Sequence, residues 1–95
     1  MNPKAESARA LLLDQKKRLE KVIREDAFPF TTASARRLLG IVQSWQRDMD
    51  RDPELWAPIA LGFMGKNGWG PLIDATCSDS EHHKRINAQS GKAAA

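Results

Sequence analysis

The stretch from Asp52 to Ile73, DPELWAPIALGFMGKNGWGPLI, holds two of the chain's three Trp, four of its six Gly and three of its five Pro, against three charges, Asp52, Glu54 and Lys66. In a chain of 95 residues, so apolar a segment marks the element that the rest must cover. Asp52 reads as an N-cap, Pro53 as the first helical residue, and Glu54 as a complement to the positive end of the helix dipole. Leu55, Trp56, Ile59, Ala60, Phe63 and Met64 then step along one broad face of this helix. Pro58 has no N–H and kinks it; Gly65 ends it. Gly62, Gly65, Gly68 and Gly70 mark backbone that bends tightly or is approached closely. Asn67-Gly68 is a turn pair, and Gly70-Pro71 restarts the chain as a short last helix, PLIDATC, ending near Ser78. A β-hairpin around Asn67-Gly68 is the competing reading, but its flanks are too short and too rich in Gly to form strands.

Before this stretch, the sequence predicts two longer helices. One covers about residues 32–51, with Thr31 as N-cap and Phe30 stapled onto Ala35. Ala35, Leu38, Leu39, Val42, Trp45 and Met49 line one face of it, and Arg36, Gly40, Gln43, Arg47 and Arg51 the other. The N-terminal helix starts at Asn2-Pro3, runs to about residue 26 and stops before Phe28-Pro29. Its apolar stripe is Ala5, Ala8, Leu12, Leu19 and Ile23, interrupted by Gln15 and Lys16. At ~1.5 Å per residue it is ~36 Å long, more than a short last helix and a kinked third one can cover. Leu12, Leu19 and Ile23 are therefore the expected surface for a protein partner or for a second copy in a homodimer. After Ser78 the sequence SDSEHHKRINAQSGKAAA is polar, and reads as disordered. The expected architecture is all-α: a single domain over residues 1–78, a small bundle of three to four helices with a long N-terminal helix and a Gly-rich loop before a short last helix, followed by a disordered tail over 79–95. Leu38, Val42, Trp45, Leu55, Ile59 and Phe63 are its expected core.

Composition narrows the function. The net charge is only +3, and no segment has the single-sign character of a nucleic-acid arm: Lys/Arg against Asp/Glu is seven to five over residues 1–30, four to three over 31–52, one to two over 53–78 and three to two beyond. No apolar run reaches membrane-spanning length, and the N-terminus lacks the apolar core of a signal peptide. The single cysteine, Cys77, excludes an internal disulfide and fits a reducing compartment. A cytoplasmic protein without a membrane partner is the expectation.

Candidate chemistry is sparse. Gly65-Lys66-Asn67-Gly68 resembles the GxxG loop of KH domains, and the resemblance implies backbone N–H groups and Lys66 clamping nucleic-acid phosphates. The match covers four residues, while the family's three-stranded sheet has no counterpart in the helical pattern before residue 52. Gly68-Trp69-Gly70 before a helix is similar to the hairpin of helix-hairpin-helix DNA binders, with Asp74 standing where Ala75 would fit the pattern. Arg36, Arg47 and Arg51 could track a phosphate backbone, but Asp48, Asp50 and Asp52 dilute their field, and a solvated helix face is the plainer reading. Cys77, His82 and His83 have metal-ligating side chains without the paired spacing of a structural zinc site. Hydrolase, kinase and dinucleotide motifs are absent, so no catalytic residue, metal or small-molecule cofactor is expected. Trp45, Trp56 and Trp69 are core residues by default, with one of them a candidate to face a partner. The function expected is a non-enzymatic binding protein of the regulatory or accessory kind, acting through a protein–protein interface. The alternative is a nucleic-acid-binding module using Arg36, Arg47, Arg51, Lys66, Asn67 and Gly68.

Overall fold

A computed structural model describes residues 2–94, with side chains over residues 2–90. Four helices follow in order, α1 (Pro3–Glu25), α2 (Pro29–Arg51), α3 (Pro53–Phe63) and α4 (Trp69–Ala94), and the described residues contain no strand. The all-α expectation holds.

Proline opens three of the helices, as its missing donor allows. The Asn2 side chain caps α1 by accepting from the Lys4 and Ala5 N–H groups, and Asp52 caps α3 by accepting from Leu55 N–H. α2 begins three residues earlier than expected: Phe28 is the extended residue before it, and Thr31 lies inside its first turn. The α1–α2 turn is set by Asp26, whose backbone is left-handed at φ 42° and ψ 50°, a conformation Asp tolerates. Its carboxylate accepts from Thr32 Oγ1 at 2.6 Å, which ties the end of α1 to the start of α2.

α1 and α2 pack side by side, and α3 and α4 follow one another along the groove they form. Gln15 meets Met64 at the end of α3, while Arg18, Lys21 and Glu25 meet Asp74, Glu81 and Lys84 in turn along α4. α3 and α4 therefore run parallel to α1 as one column broken at residues 64–68, and the molecule is a three-column bundle 56 × 19 × 19 Å in extent. Gln15, which looked like an interruption of the apolar stripe, is buried and donates from Nε2 to the Met64 carbonyl at 2.6 Å. It satisfies a carbonyl that the broken helix leaves without a partner.

Glycine makes the break sharp. A Cβ on Gly68 would lie 2.8 Å from Phe63 Cα, and one on Gly70 would lie 2.8 Å from the Gly65 carbonyl carbon. Close approach of backbone to backbone is what these two positions require; neither uses a left-handed conformation.

Two expectations are overturned. The last helix is not short, and residues 79–94 are not disordered: α4 continues from Trp69 to Ala94. The bonds that hold this extension are polar. Thr31 Oγ1 donates to Asp79, His83 stacks on Phe28 at 4.1 Å, Lys84 pairs with Glu25 at 2.6 Å, and Asn87 Nδ2 donates to the Ala27 carbonyl at 2.9 Å. Ser80 is buried among them. The domain therefore does not stop at residue 78; Met1 and Ala95, the outer ends of the expected domain and tail, lie outside the described residues.

The core is Ala5, Ala8, Leu12, Leu19 and Val22 from α1, Ala35, Leu38, Val42 and Met49 from α2, Ala57 and Ala60 from α3, Met64 from the break and Ile73 from α4. Leu38 and Val42 sit where the sequence placed them, and Trp45 packs against the edge of the core. Leu55 and Phe63 do not, and Ile59 is only half-buried. α3 is apolar nearly all round, so periodicity could not choose its inner face. Small Ala57 and Ala60 let it approach α1 and α2 closely; Leu55 and Phe63 turn outward, while Trp56 and Leu61 pack half-buried against the core.

Candidate protein-binding surface

The inversion of α3 leaves Leu55 and Phe63, 52% and 60% exposed, on a face that also carries half-buried Ile59. These three recur at four-residue intervals and so stand one above another. Phe63 stacks beside Trp45 at 6.2 Å, and Trp56 meets the edge of the same Trp45 ring at 5.8 Å. Trp45 thus carries the apolar face of α3 onto α2. Pro58, Ile59, Gly62, Phe63 and Asn67 enclose a shallow depression of about 330 Å³.

The same side of the molecule continues along α4. Phe30 is 77% exposed and Leu72 52%, and Trp69 also reaches solvent. Two adjoining cavities between α2 and α4, about 370 and 190 Å³, share Ser34, Leu72 and Thr76 in their walls. The first is closed at its end by Phe28, Phe30 and Asp79, the second by Arg37, Leu38 and Trp69. Of the three Trp, Trp69 is the one that faces outward. The seam between α2 and the broken column carries four of the exposed large apolar side chains, Phe30, Phe63, Trp69 and Leu72, while Leu55 lies on the outer face of α3.

The residues that sequence alone assigned to a partner surface lie elsewhere. Leu12 and Leu19 are fully buried in the chain's own core, and Ile23 packs half-buried against it. The stripe on α1 is used intramolecularly because α3 and the long α4 cover its whole length. It is not a surface available to a second copy in this fold. The signal that could have placed the inner face of α3 is the paired presence of Ala57 and Ala60 with Leu55, Ile59 and Phe63: small residues mark the close-packed face.

The residues of the nucleic-acid reading are at the surface. Arg36, Arg47, Arg51, Lys66 and Asn67 are exposed, and Gly68 is half-buried against α3. Arg51 lies 3.8 Å from Asp48. The Gly65–Gly68 loop joins two helices with no sheet among the described residues beside it, so its likeness to the KH loop ends at the four residues.

The remaining candidate side chains, Cys77 and His83, lie apart from one another on α4. Cys77 lies on the α1 side of α4, in a cavity with Arg18, Lys21, Val22, Glu25 and Glu81. Burial pushes its thiol up, with Arg18 opposing, so the reactive thiolate is disfavoured. His83 is on the other side of the helix, against Phe28, with Nε2 3.7 Å from Asp79. Thr31 Oγ1 donates its hydrogen bond to Asp79 and not to His83. Among the described residues, no group of three or more His, Cys, Asp or Glu is arranged to hold a metal ion, and no helix is long and apolar enough to cross a membrane. No protein-family model, curated protein or solved structure matches the chain.

Proposed function

We propose that the chain is a small, non-enzymatic helical binding protein of the regulatory or accessory kind, whose protein-partner interface is the seam between α2 and the α3–α4 column. One observation carries this reading: α3 packs through Ala57, Ala60 and its end residue Met64, and turns Leu55 and Phe63 to solvent beside half-buried Ile59. Large apolar side chains in a continuous exposed row are the mark of an interaction surface. Trp45 and Trp56 border that row, Trp69 stands in the adjoining α2–α4 cavity, and aromatic anchors of this kind dominate binding energies where they are found.

A second reading, nucleic-acid binding, is supported by the exposure of Arg36, Arg47 and Lys66, none of which has a carboxylate within ion-pair distance among the described residues. Affinity capture from native lysate, with and without nuclease, separates the two. The first reading expects a protein retained after nuclease treatment and lost with Leu55→Asp/Phe63→Asp. Capture that disappears with nuclease and survives those substitutions would transfer the function to the basic face.

A further inference from the structure

We infer that the occupant of the seam is an acidic amphipathic helix of a partner protein, seated lengthwise between α2 and α4 with its carboxylates toward α2. This deepens the protein-binding reading and rests on it.

Shape comes first. A three-column bundle presents a groove between each pair of columns, and a fourth helix laid in one of them completes a four-helix bundle. The α1–α4 groove is bridged by polar contacts, Arg18–Asp74 at 2.9 Å and Lys84–Glu25 at 2.6 Å, and the α1–α2 groove holds a cavity of about 350 Å³ whose exposed large apolar side chain is Leu13, with Asp50 beside it. The α2–α4 groove instead has Phe30, Leu72 and Trp69 open to solvent along its walls. From Phe30 to Trp45 it follows about 22 Å of α2 at ~1.5 Å per residue, the length of a four-turn helix. An occupant with apolar residues on one face, one per turn, would meet Phe30, Leu72, Trp69 and Phe63 in succession.

Charge selects the chemistry of its flanks. Arg37 is in the groove wall, and no carboxylate lies within ion-pair distance of it among the described residues. Arg36, Arg47 and Arg51 occupy the exposed face of α2 beyond it. On the opposite wall, residues 55–78 contain only two charges, Lys66 and Asp74, and Asp74 is turned to α1 and bound by Arg18. The one acid lining the groove, Asp79, already accepts from Thr31 and lies beside His83. Asp48, one turn beyond Trp45, lies 3.8 Å from Arg51. A partner helix flanked by Lys would face this cationic wall without compensation, whereas Asp or Glu meets uncompensated arginine. Arg is suited to this role because its guanidinium binds carboxylates through two parallel hydrogen bonds.

The test uses the full chain and three synthetic helices of about 15 residues with one apolar stripe and with Glu, Lys or Gln on the flanks. Fluorescence anisotropy should show the Glu peptide binding about tenfold or more tighter than the Lys peptide, each tenfold being ~1.4 kcal/mol. Leu72→Asp should abolish binding, and Arg37→Glu should reverse the preference between Glu and Lys flanks, with circular dichroism confirming that both variants stay folded. If the Lys or Gln peptide binds as well as the Glu peptide, the acidic partner is wrong while the protein-binding seam stands. Binding of the Glu peptide that is indifferent to both substitutions places it elsewhere and overturns the proposal. If no peptide binds, the seam falls with it. Self-association of the wild type in sedimentation equilibrium, lost with Leu72→Asp, would make a second copy the occupant and would equally overturn the acidic helix.

Discussion

Gly40→Ala and Gly70→Ala are the same chemical change in two helices, and the structure requires opposite outcomes. Gly40 is exposed in the interior of α2, and a Cβ built there meets nothing within 4 Å. Alanine should therefore recover the helix propensity that glycine forgoes, stabilising the fold by about 1 kcal/mol. Gly70 is in the first turn of α4, and its Cβ would fall 2.8 Å from the carbonyl carbon of Gly65 and 3.0 Å from the Met64 oxygen. Those atoms belong to the backbone of the break and cannot rotate aside. Relief requires the turn to shift, at a cost of about 1–3 kcal/mol by analogy with overpacked cores. Thermal unfolding followed by circular dichroism reads both, since 1 kcal/mol moves the midpoint by roughly 4–8 °C in a domain of this size. A higher midpoint for Gly40→Ala and a lower one for Gly70→Ala are expected. A Gly70→Ala variant as stable as wild type would refute the close approach of α4 to the end of α3, and with it the three-column arrangement.

Lys84 holds the Glu25 carboxyl below its ordinary value of 4.5 through their hydrogen bond. A depressed carboxylate stabilises the fold above that value, and the contribution is lost as pH falls through the folded-state pKa. Lys84→Gln should lower the melting temperature at pH 7 and leave little difference from wild type near pH 3; equal differences at both pH values would contradict the pairing. His83→Ala combined with Asn87→Ala should fray the end of α4, seen as faster amide exchange over residues 79–87 with α2 unchanged. If the basic face binds nucleic acid, Arg47→Glu with Lys66→Glu should abolish a mobility shift that itself weakens steeply with salt, because each phosphate contact releases counterions. Absence of any shift at low salt would remove that second reading.

Much of the fold was legible where the apolar pattern was one-sided. α2 alternates a clear apolar face with an arginine face, so Ala35, Leu38, Val42 and Met49 could be placed inside from spacing alone. α3 offered no such asymmetry: with Leu55, Trp56, Ile59, Leu61 and Phe63 distributed around it, the largest side chains were the natural candidates for burial, and the small ones were buried instead. The helix after Ser78 was illegible for a different reason. Its docking depends on a threonine hydroxyl, an aromatic–imidazole stack, an ion pair and an asparagine amide, each of which involves a partner 48 to 60 residues away or on another helix. Hydrophobic periodicity carries no record of such contacts. Gln15 belongs to the same class: a polar residue in an apolar stripe reads as a defect until the carbonyl it satisfies is known. Misplacing the extent of α4 is also what made Leu12, Leu19 and Ile23 look like a surface, since a short last helix would have left them uncovered.

The claim on which the seam depends is that α3 presents Leu55 and Phe63 outward while α1 keeps Leu12 and Leu19 inside. Urea unfolding of Leu19→Ala beside Phe63→Ala tests it most directly. Leu19 is fully buried, and its truncation should cost about 2–5 kcal/mol. Phe63 is 60% exposed and should lose no more than about 1.5 kcal/mol, the share of its burial that remains. That ordering is the predicted result. A loss at Phe63 equal to or larger than that at Leu19 would place Phe63 in the core and contradict the account.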